Sequence, residues 1–177
     1  ETFLQINGSV RKKIYDRAIR LAEIDENTYV IDAYSGAGLM TAMCAKTARR
    51  AYGIEIVQEA VSCADHLAEM NGLVGKMVNI CGACEAEIPT LVHSLKAEGS
   101  PVVVLLDPPR KGCSEDTLEA VAKMAPRRVV YVSCNPKTLA RDLSFLTRKG
   151  YKVQKIQPVD MFPYTEHVET VTLLNKG

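Results

Sequence analysis

Cys134 stands in the run Val132-Ser133-Cys134-Asn135-Pro136, where a β-branched apolar segment gives way to a stretch of helical period. Asn135 suits a helix N-cap and Pro136 the first helical turn, while Lys149 and Gly150 suit the far end. A thiol placed there meets the unpaired N–H groups and positive dipole end of a helix, which favour thiolate, the reactive form of cysteine. Its natural chemistry is covalent catalysis, in which sulfur adds to an electron-poor carbon and later departs. The inert alternative is a buried strand-end cysteine, the usual fate of a lone thiol. The Ser-Cys-Asn-Pro setting favours the working one.

The other five cysteines read as structural. Cys81-Gly82-Ala83-Cys84 has redox or zinc-knuckle spacing, yet no second Cys or His pair accompanies it, so no metal site is expected. Cys44 and Cys63 fall in helical runs and Cys113 in a loop, with reduced thiols the default.

Three further segments place acids at strand tips. Asp32-Ala33-Tyr34-Ser35-Gly36-Ala37-Gly38 is an acid followed by a glycine turn that lets a ligand approach the backbone closely. Gly53-Ile54-Glu55 puts a carboxylate where it can accept both hydroxyls of a ribose. Together they point to an adenosine-type cofactor. Gly36-x-Gly38-x-x-Thr41 is also a near miss to the dinucleotide fingerprint, so a nicotinamide-dependent oxidoreductase stays open as a rival. Leu105-Leu106-Asp107-Pro108-Pro109-Arg110 ends a strand in a stiff turn with a bare acid at its tip. An aromatic residue after the prolines would suggest methylation of an exocyclic amine; Arg110 stands there instead.

These tips need a framework that gathers them. Strands are expected at Thr28–Asp32, Ala51–Glu55, Met77–Cys81, Val102–Asp107, Arg128–Ser133, Tyr151–Asp160 and His167–Leu174. Helical period occupies Val10–Ala22, Leu39–Thr47, Gln58–Met70, Glu85–Lys96, Glu115–Met124 and Lys137–Lys149. The alternation predicts an α/β, doubly wound, mostly parallel seven-stranded sheet with helices on both faces. The last two strands, with no helix between them, predict a hairpin and one antiparallel strand, the shape of the class I, Rossmann-like methyltransferase fold.

A chain of 177 residues with 47% apolar content suits one domain, residues 1–177. Lys and Arg (22) nearly cancel Asp and Glu (21), a weak footing for gripping a polyanion unaided. The first residues, Glu1-Thr2-Phe3-Leu4-Gln5, carry no initiator Met or leader pattern, and a piece of a longer protein is expected. A cytoplasmic monomer is expected, and no membrane span, since Val102–Leu106, the longest apolar run, is far too short to cross a bilayer.

Taken in order, Phe3 to Asn7, Asp32 to Gly38, Leu105 to Arg110, Val132 to Pro136 with Thr138 to Asp142, and Asp160 to Pro163 with His167-Val168-Glu169 closely resemble the RNA uridine-5-methyltransferase family. The likeness covers essentially the whole chain. It implies an S-adenosylmethionine-dependent enzyme with Cys134 the nucleophile on carbon 6 of uracil and Glu169 the base that removes the carbon 5 proton. It also implies that Gln5, Tyr34, Glu55 and Asp107 bind the cofactor. His167 is the rival base, though a lone His beside a strand is more often structural. Leu39 and Ala83 replace polar residues common in the family, so adenine contacts are expected to be apolar and through backbone. The resemblance further implies an RNA partner; 23S ribosomal RNA is the substrate expected here, with transfer RNA the alternative, and no DNA partner is expected. Much of the grip is expected in an N-terminal RNA-binding domain, in some members carrying an iron–sulfur cluster. A non-catalytic RNA-binding module is the second rival, undercut by the weak charge and lack of an aromatic stripe.

Overall fold

The computed structural model describes residues 2–97, 99–160 and 168–177, with side chains for 11–95, 99–159 and 168–177. Helices are α1 (Thr2–Ala22), α2 (Leu39–Ala45), α3 (Gln58–Met70), α4 (Cys84–Ala97), α5 (Glu115–Met124) and α6 (Pro136–Arg148). Strands are β1 (Tyr29–Ala33), β2 (Arg50–Glu55), β3 (Met77–Cys81), β4 (Val102–Leu106), β5 (Arg128–Ser133), β6 (Tyr151–Asp160) and β7 (Val168–Lys176). They form one sheet ordered β3-β2-β1-β4-β5-β7-β6, parallel from β3 to β5, with β7 antiparallel to both β5 and β6. The expected architecture and terminal hairpin are present. Among the described residues no helix is long and apolar enough to cross a membrane.

Alternation along the central strands sorts the core into two faces. Tyr29, Ile31 and Ala33 of β1 and Val104 and Leu106 of β4 pack with Ile88 of α4, Leu118 of α5 and Leu146 of α6. Val30, Val103 and Leu105 turn the other way, onto Ile14 and Ala18 of α1, Met40 of α2 and Ala64 of α3. Both faces being covered explains why β4 reads as the unbroken apolar run VVVLL.

Local signals set the helix ends near the site. Ser114 caps α5 by accepting from Thr117 N at 3.1 Å, and Asn135 caps α6 by accepting from Lys137 N at 3.0 Å. The main departure from expectation is α1, which starts at Thr2 rather than Val10. Asn7 and Gly8 are poor helix formers, but extending an existing helix through them costs only about 1 kcal/mol per residue.

Candidate functional site

The strand order reverses between β1 and β4, and the crevice outside their carboxyl ends is where an open α/β sheet binds ligands. The motif-bearing segments converge there. Asp32 is wholly buried and accepts from Thr41 Oγ1 at 2.6 Å, while its Oδ1 has no partner among the described residues. Burial pushes its carboxyl up to about 7, with the Thr41 hydrogen bond opposing. The backbone then turns through Tyr34 (φ 67°), Gly36 (φ 54°) and Gly38 (φ 81°). Gly38 is needed twice: its φ is left-handed, and a Cβ there would stand 2.7 Å from Ala64 Cβ on α3.

Two adjoining hollows open at this edge. The first, about 460 Å³, is walled by Tyr34, Ile54, Glu55, Ile56, Ala83 and Lys111 among others. Glu55 is fixed by backbone donors at both oxygens, Gly36 N to Oε2 and Val57 N to Oε1, each at 3.0 Å. Each oxygen keeps a further lone pair for a ligand hydroxyl. Ile56, 70% exposed, supplies an apolar wall that a flat ring can cover. The Tyr34 hydroxyl donates to Thr117 Oγ1 at 3.3 Å, and Thr117 donates to Glu85 at 3.1 Å, tying the residue to α5 and α4.

The second hollow, about 470 Å³, is lined by Arg11, Tyr15, Asp107, Arg110, Cys134 and Glu169, among others. Tyr34, Asp107 and Pro109 line both, so the two are halves of one cleft. Pairing in the sheet explains how Cys134 and Glu169, far apart in sequence, meet: Ser133 lies opposite Thr170, and the next residue outward on each strand is one of the pair. Asp107 accepts from the Tyr15 hydroxyl at 2.8 Å. Burial raises its carboxyl, with the Tyr15 hydrogen bond and Arg11 opposing.

The loop after Asp107 is lashed to α6. Asn135 Nδ2 and Thr138 Oγ1 both donate to Arg110 O at 3.1 Å, and Arg141 donates to Lys111 O and Cys113 O at 3.0 Å. Underneath lies Asp142, fully buried, accepting from Tyr131 Oη at 2.6 Å and from Cys113 N and Arg141 Nε at 2.8 Å. Helix α6 therefore holds the Asp107 loop against the turn bearing Cys134.

Of the sequence-predicted site residues, Tyr34, Glu55, Asp107, Cys134 and Glu169 come together in this cleft. Gln5 falls on α1, but its side chain lies outside the described residues, as does all of His167. Ala83 and Leu39 line the first and second halves respectively. Sequence reasoning missed Arg11 and Tyr15, whose four-residue spacing puts them on one face of α1. Among the thiols read as structural, Cys44, Cys84 and Cys113 are buried, whereas Cys63 and Cys81 are exposed. Burial drives Cys84 up to about 11 and Cys113 up to about 12, which keeps both as inert thiols.

A family model described as tRNA (uracil-5-)-methyltransferase matches residues 95–177, the half that carries Asp107, Cys134 and Glu169. An uncharacterized RNA methyltransferase of Oceanobacillus iheyensis is 46% identical over 175 residues, covering 98% of this chain and 37% of that protein. One from Caldanaerobacter subterraneus is 46% identical over 176 residues, covering 99% of this chain and 38% of that protein. The chain is thus similar to RNA methyltransferases along nearly all of its length, and over residues 95–177 to the uracil-5 family in particular. The solved tRNA (uracil-54, C5)-methyltransferase of Pyrococcus abyssi, in complex with S-adenosyl-L-homocysteine, superposes with a TM-score of 0.70 at 29% identity. That match covers 96% of this chain and 38% of the other. A Streptococcus thermophilus rRNA methylase, 16% identical with a TM-score of 0.68 over 93% of this chain and 94% of that one, shares the fold alone. The fold is thus the class I methyltransferase fold, and its β7, antiparallel between β5 and β6, departs from the nicotinamide-binding strand order. The chain spans about 37% of the length of the curated relatives it matches.

Proposed function

We propose that this chain is the catalytic domain of an enzyme that methylates carbon 5 of a uridine in RNA, with S-adenosylmethionine as methyl donor. The observation that carries the reading is the meeting of Cys134 and Glu169 in one half of a cleft whose other half presents Glu55. The residues fit the cofactor: Glu55 has acceptor capacity for the ribose hydroxyls, Ile56 and Ala83 give apolar walls for adenine, and Tyr34 and Asp107 sit at the junction of the halves. When bound, S-adenosylmethionine supplies an electrophilic methyl group.

The chain's own residues do the rest. The Cys134 thiolate adds to carbon 6, forming a C–S bond and shifting an electron pair to an enolate, which makes carbon 5 nucleophilic enough to take the methyl. Glu169 then removes the carbon 5 proton, the ring double bond re-forms, and the C–S bond breaks to return the thiolate. Ribosomal RNA is the substrate favoured from the sequence, and transfer RNA is the alternative raised by the Pyrococcus abyssi relative. Near-neutral charge supports an RNA-gripping domain elsewhere in the full protein.

The test uses the full-length protein, RNA and labelled cofactor. Cys134→Ala should abolish methyl transfer and any covalent RNA adduct while cofactor affinity stays nearly intact. Glu169→Gln should accumulate a methylated protein–RNA complex that survives denaturing electrophoresis. Methylation by Cys134→Ala, or normal turnover by Glu169→Gln without trapped complex, refutes the assignment; mapping the labelled uridine decides between ribosomal and transfer RNA.

A further inference from the structure

Asp107 is followed by Pro108 and Pro109. An acid at the start of a turn ordinarily satisfies its carboxylate with backbone N–H groups one or two residues ahead, but proline has none. The loop that makes Asp107 rigid thus deprives it of its nearest donors. The alternation of β4 decides where a donor must come from. Val103 and Leu105 face α1 while Val104 and Leu106 face the opposite helices, so Asp107, next in the odd-numbered series, turns toward α1. There Tyr15, 7% exposed, donates its hydroxyl to Asp107 Oδ2 at 2.8 Å, across 92 residues of sequence.

We infer that Tyr15 is a positioning residue for Asp107, replacing the backbone donors the two prolines remove and holding the carboxylate at the junction of the cleft's two halves. The inference rests on the methyltransferase reading above. Asp107 lines both halves, so its orientation serves the cofactor side and the Cys134 side together. The hydroxyl suits the task because burial and the neighbouring Asp107 raise its pKa far above neutrality, keeping it a donor.

Among the described residues, the charged and titratable groups around this pair are Arg11 on α1, Asp32 on β1, Tyr34 after β1, Arg110 after β4, Cys134 after β5 and Glu169 on β7, with Glu55 and Lys111 farther along the cleft. Arg11 and the Tyr15 hydroxyl both pull the Asp107 carboxyl down against its burial. Removing the hydroxyl therefore raises the pH at which Asp107 ionises. A helix that merely lost packing would not move that pH.

The experiment measures S-adenosylhomocysteine affinity of the full-length protein by calorimetry from about pH 5 to about pH 9, for wild type, Tyr15→Phe and Ile14→Val. Ile14, 3% exposed on the same helix, reports packing alone. Tyr15→Phe is expected to weaken binding about tenfold, the loss of one hydrogen bond to a charged acceptor, and to move the acid limb up by about half a pH unit or more. Ile14→Val should leave both unchanged. Affinity and acid limb equal to wild type in Tyr15→Phe, or weakened binding with an unmoved acid limb, overturns the inference while leaving the methyltransferase reading intact. Wild-type protein that binds no S-adenosylhomocysteine overturns both.

Discussion

Replacing Tyr131 by Phe removes one oxygen and leaves the ring that packs in the core. The deleted hydroxyl donates at 2.6 Å to Asp142, whose side chain is wholly buried. Among the described residues, Asp142 Oδ2 then keeps only Cys113 N, while Oδ1 retains Arg141. Hydrogen bonds to charged acceptors contribute about 1.5–3 kcal/mol, and no water can replace the donor without opening the core, so the cost should fall in that range. For a domain of this size each kcal/mol lowers Tm by about 2–4 °C. Tyr151→Phe is the internal yardstick, because its equally buried hydroxyl donates to a neutral acceptor, Pro126 O, at 3.2 Å. That change should cost about 0.5–1.5 kcal/mol. Urea unfolding followed by circular dichroism, with m-values checked for constancy, gives both numbers. A Tyr131→Phe penalty below about 0.5 kcal/mol, or one no larger than that of Tyr151→Phe, refutes the view that Asp142 is the charged anchor of the loop after Asp107.

Asp32 should make stability fall as pH rises. Its folded carboxyl titrates at about 7 against an ordinary 3.8, so the folded state holds the proton more tightly. Its stabilising contribution is complete below about pH 4 and is lost by about pH 7, a span of about 4 kcal/mol. Relative to Asp32→Asn, wild type should lose stability across that window in urea titrations; parallel curves would discard the idea. Glu55→Gln should weaken S-adenosylhomocysteine binding about 10- to 100-fold by calorimetry, because both carboxylate oxygens accept backbone N–H groups and an amide must turn its NH2 toward one of them. A change below about twofold would count against Glu55 as a ligand group. Gly38→Ala combines left-handed strain with a contact of 2.7 Å on Ala64, and should lower stability by at least about 2 kcal/mol in thermal or urea unfolding; a loss under about 0.5 kcal/mol contradicts the packing described.

The sequence by itself determined the elements and the chemistry-bearing tips. Apolar runs covered on both faces, as in β4, and capped helices such as α5 and α6 are local signals, so their bounds were legible to within a residue or so. The placement of Cys134 just before the cap of α6 was legible for the same reason, since strand, cap and Pro136 are contiguous. Glu169 was different. Residue physics alone gave it no role beyond a solvated strand position, and only the resemblance singled it out, because what places it beside Cys134 is the antiparallel register of β7 on β5.

Tertiary structure alone decided the rest. That β7 inserts between β5 and β6, and that α1 packs where it can hand Tyr15 to Asp107 across 92 residues, depends on contacts between segments separated in sequence, for which periodicity carries no information. The same holds for Asp142, which sits in α6 as one polar residue among others until folding surrounds it with Tyr131, Cys113 and Arg141. Sequence spacing fixes which residues share a face of an element; which faces meet is fixed by burial and hydrogen-bond satisfaction summed over the whole domain.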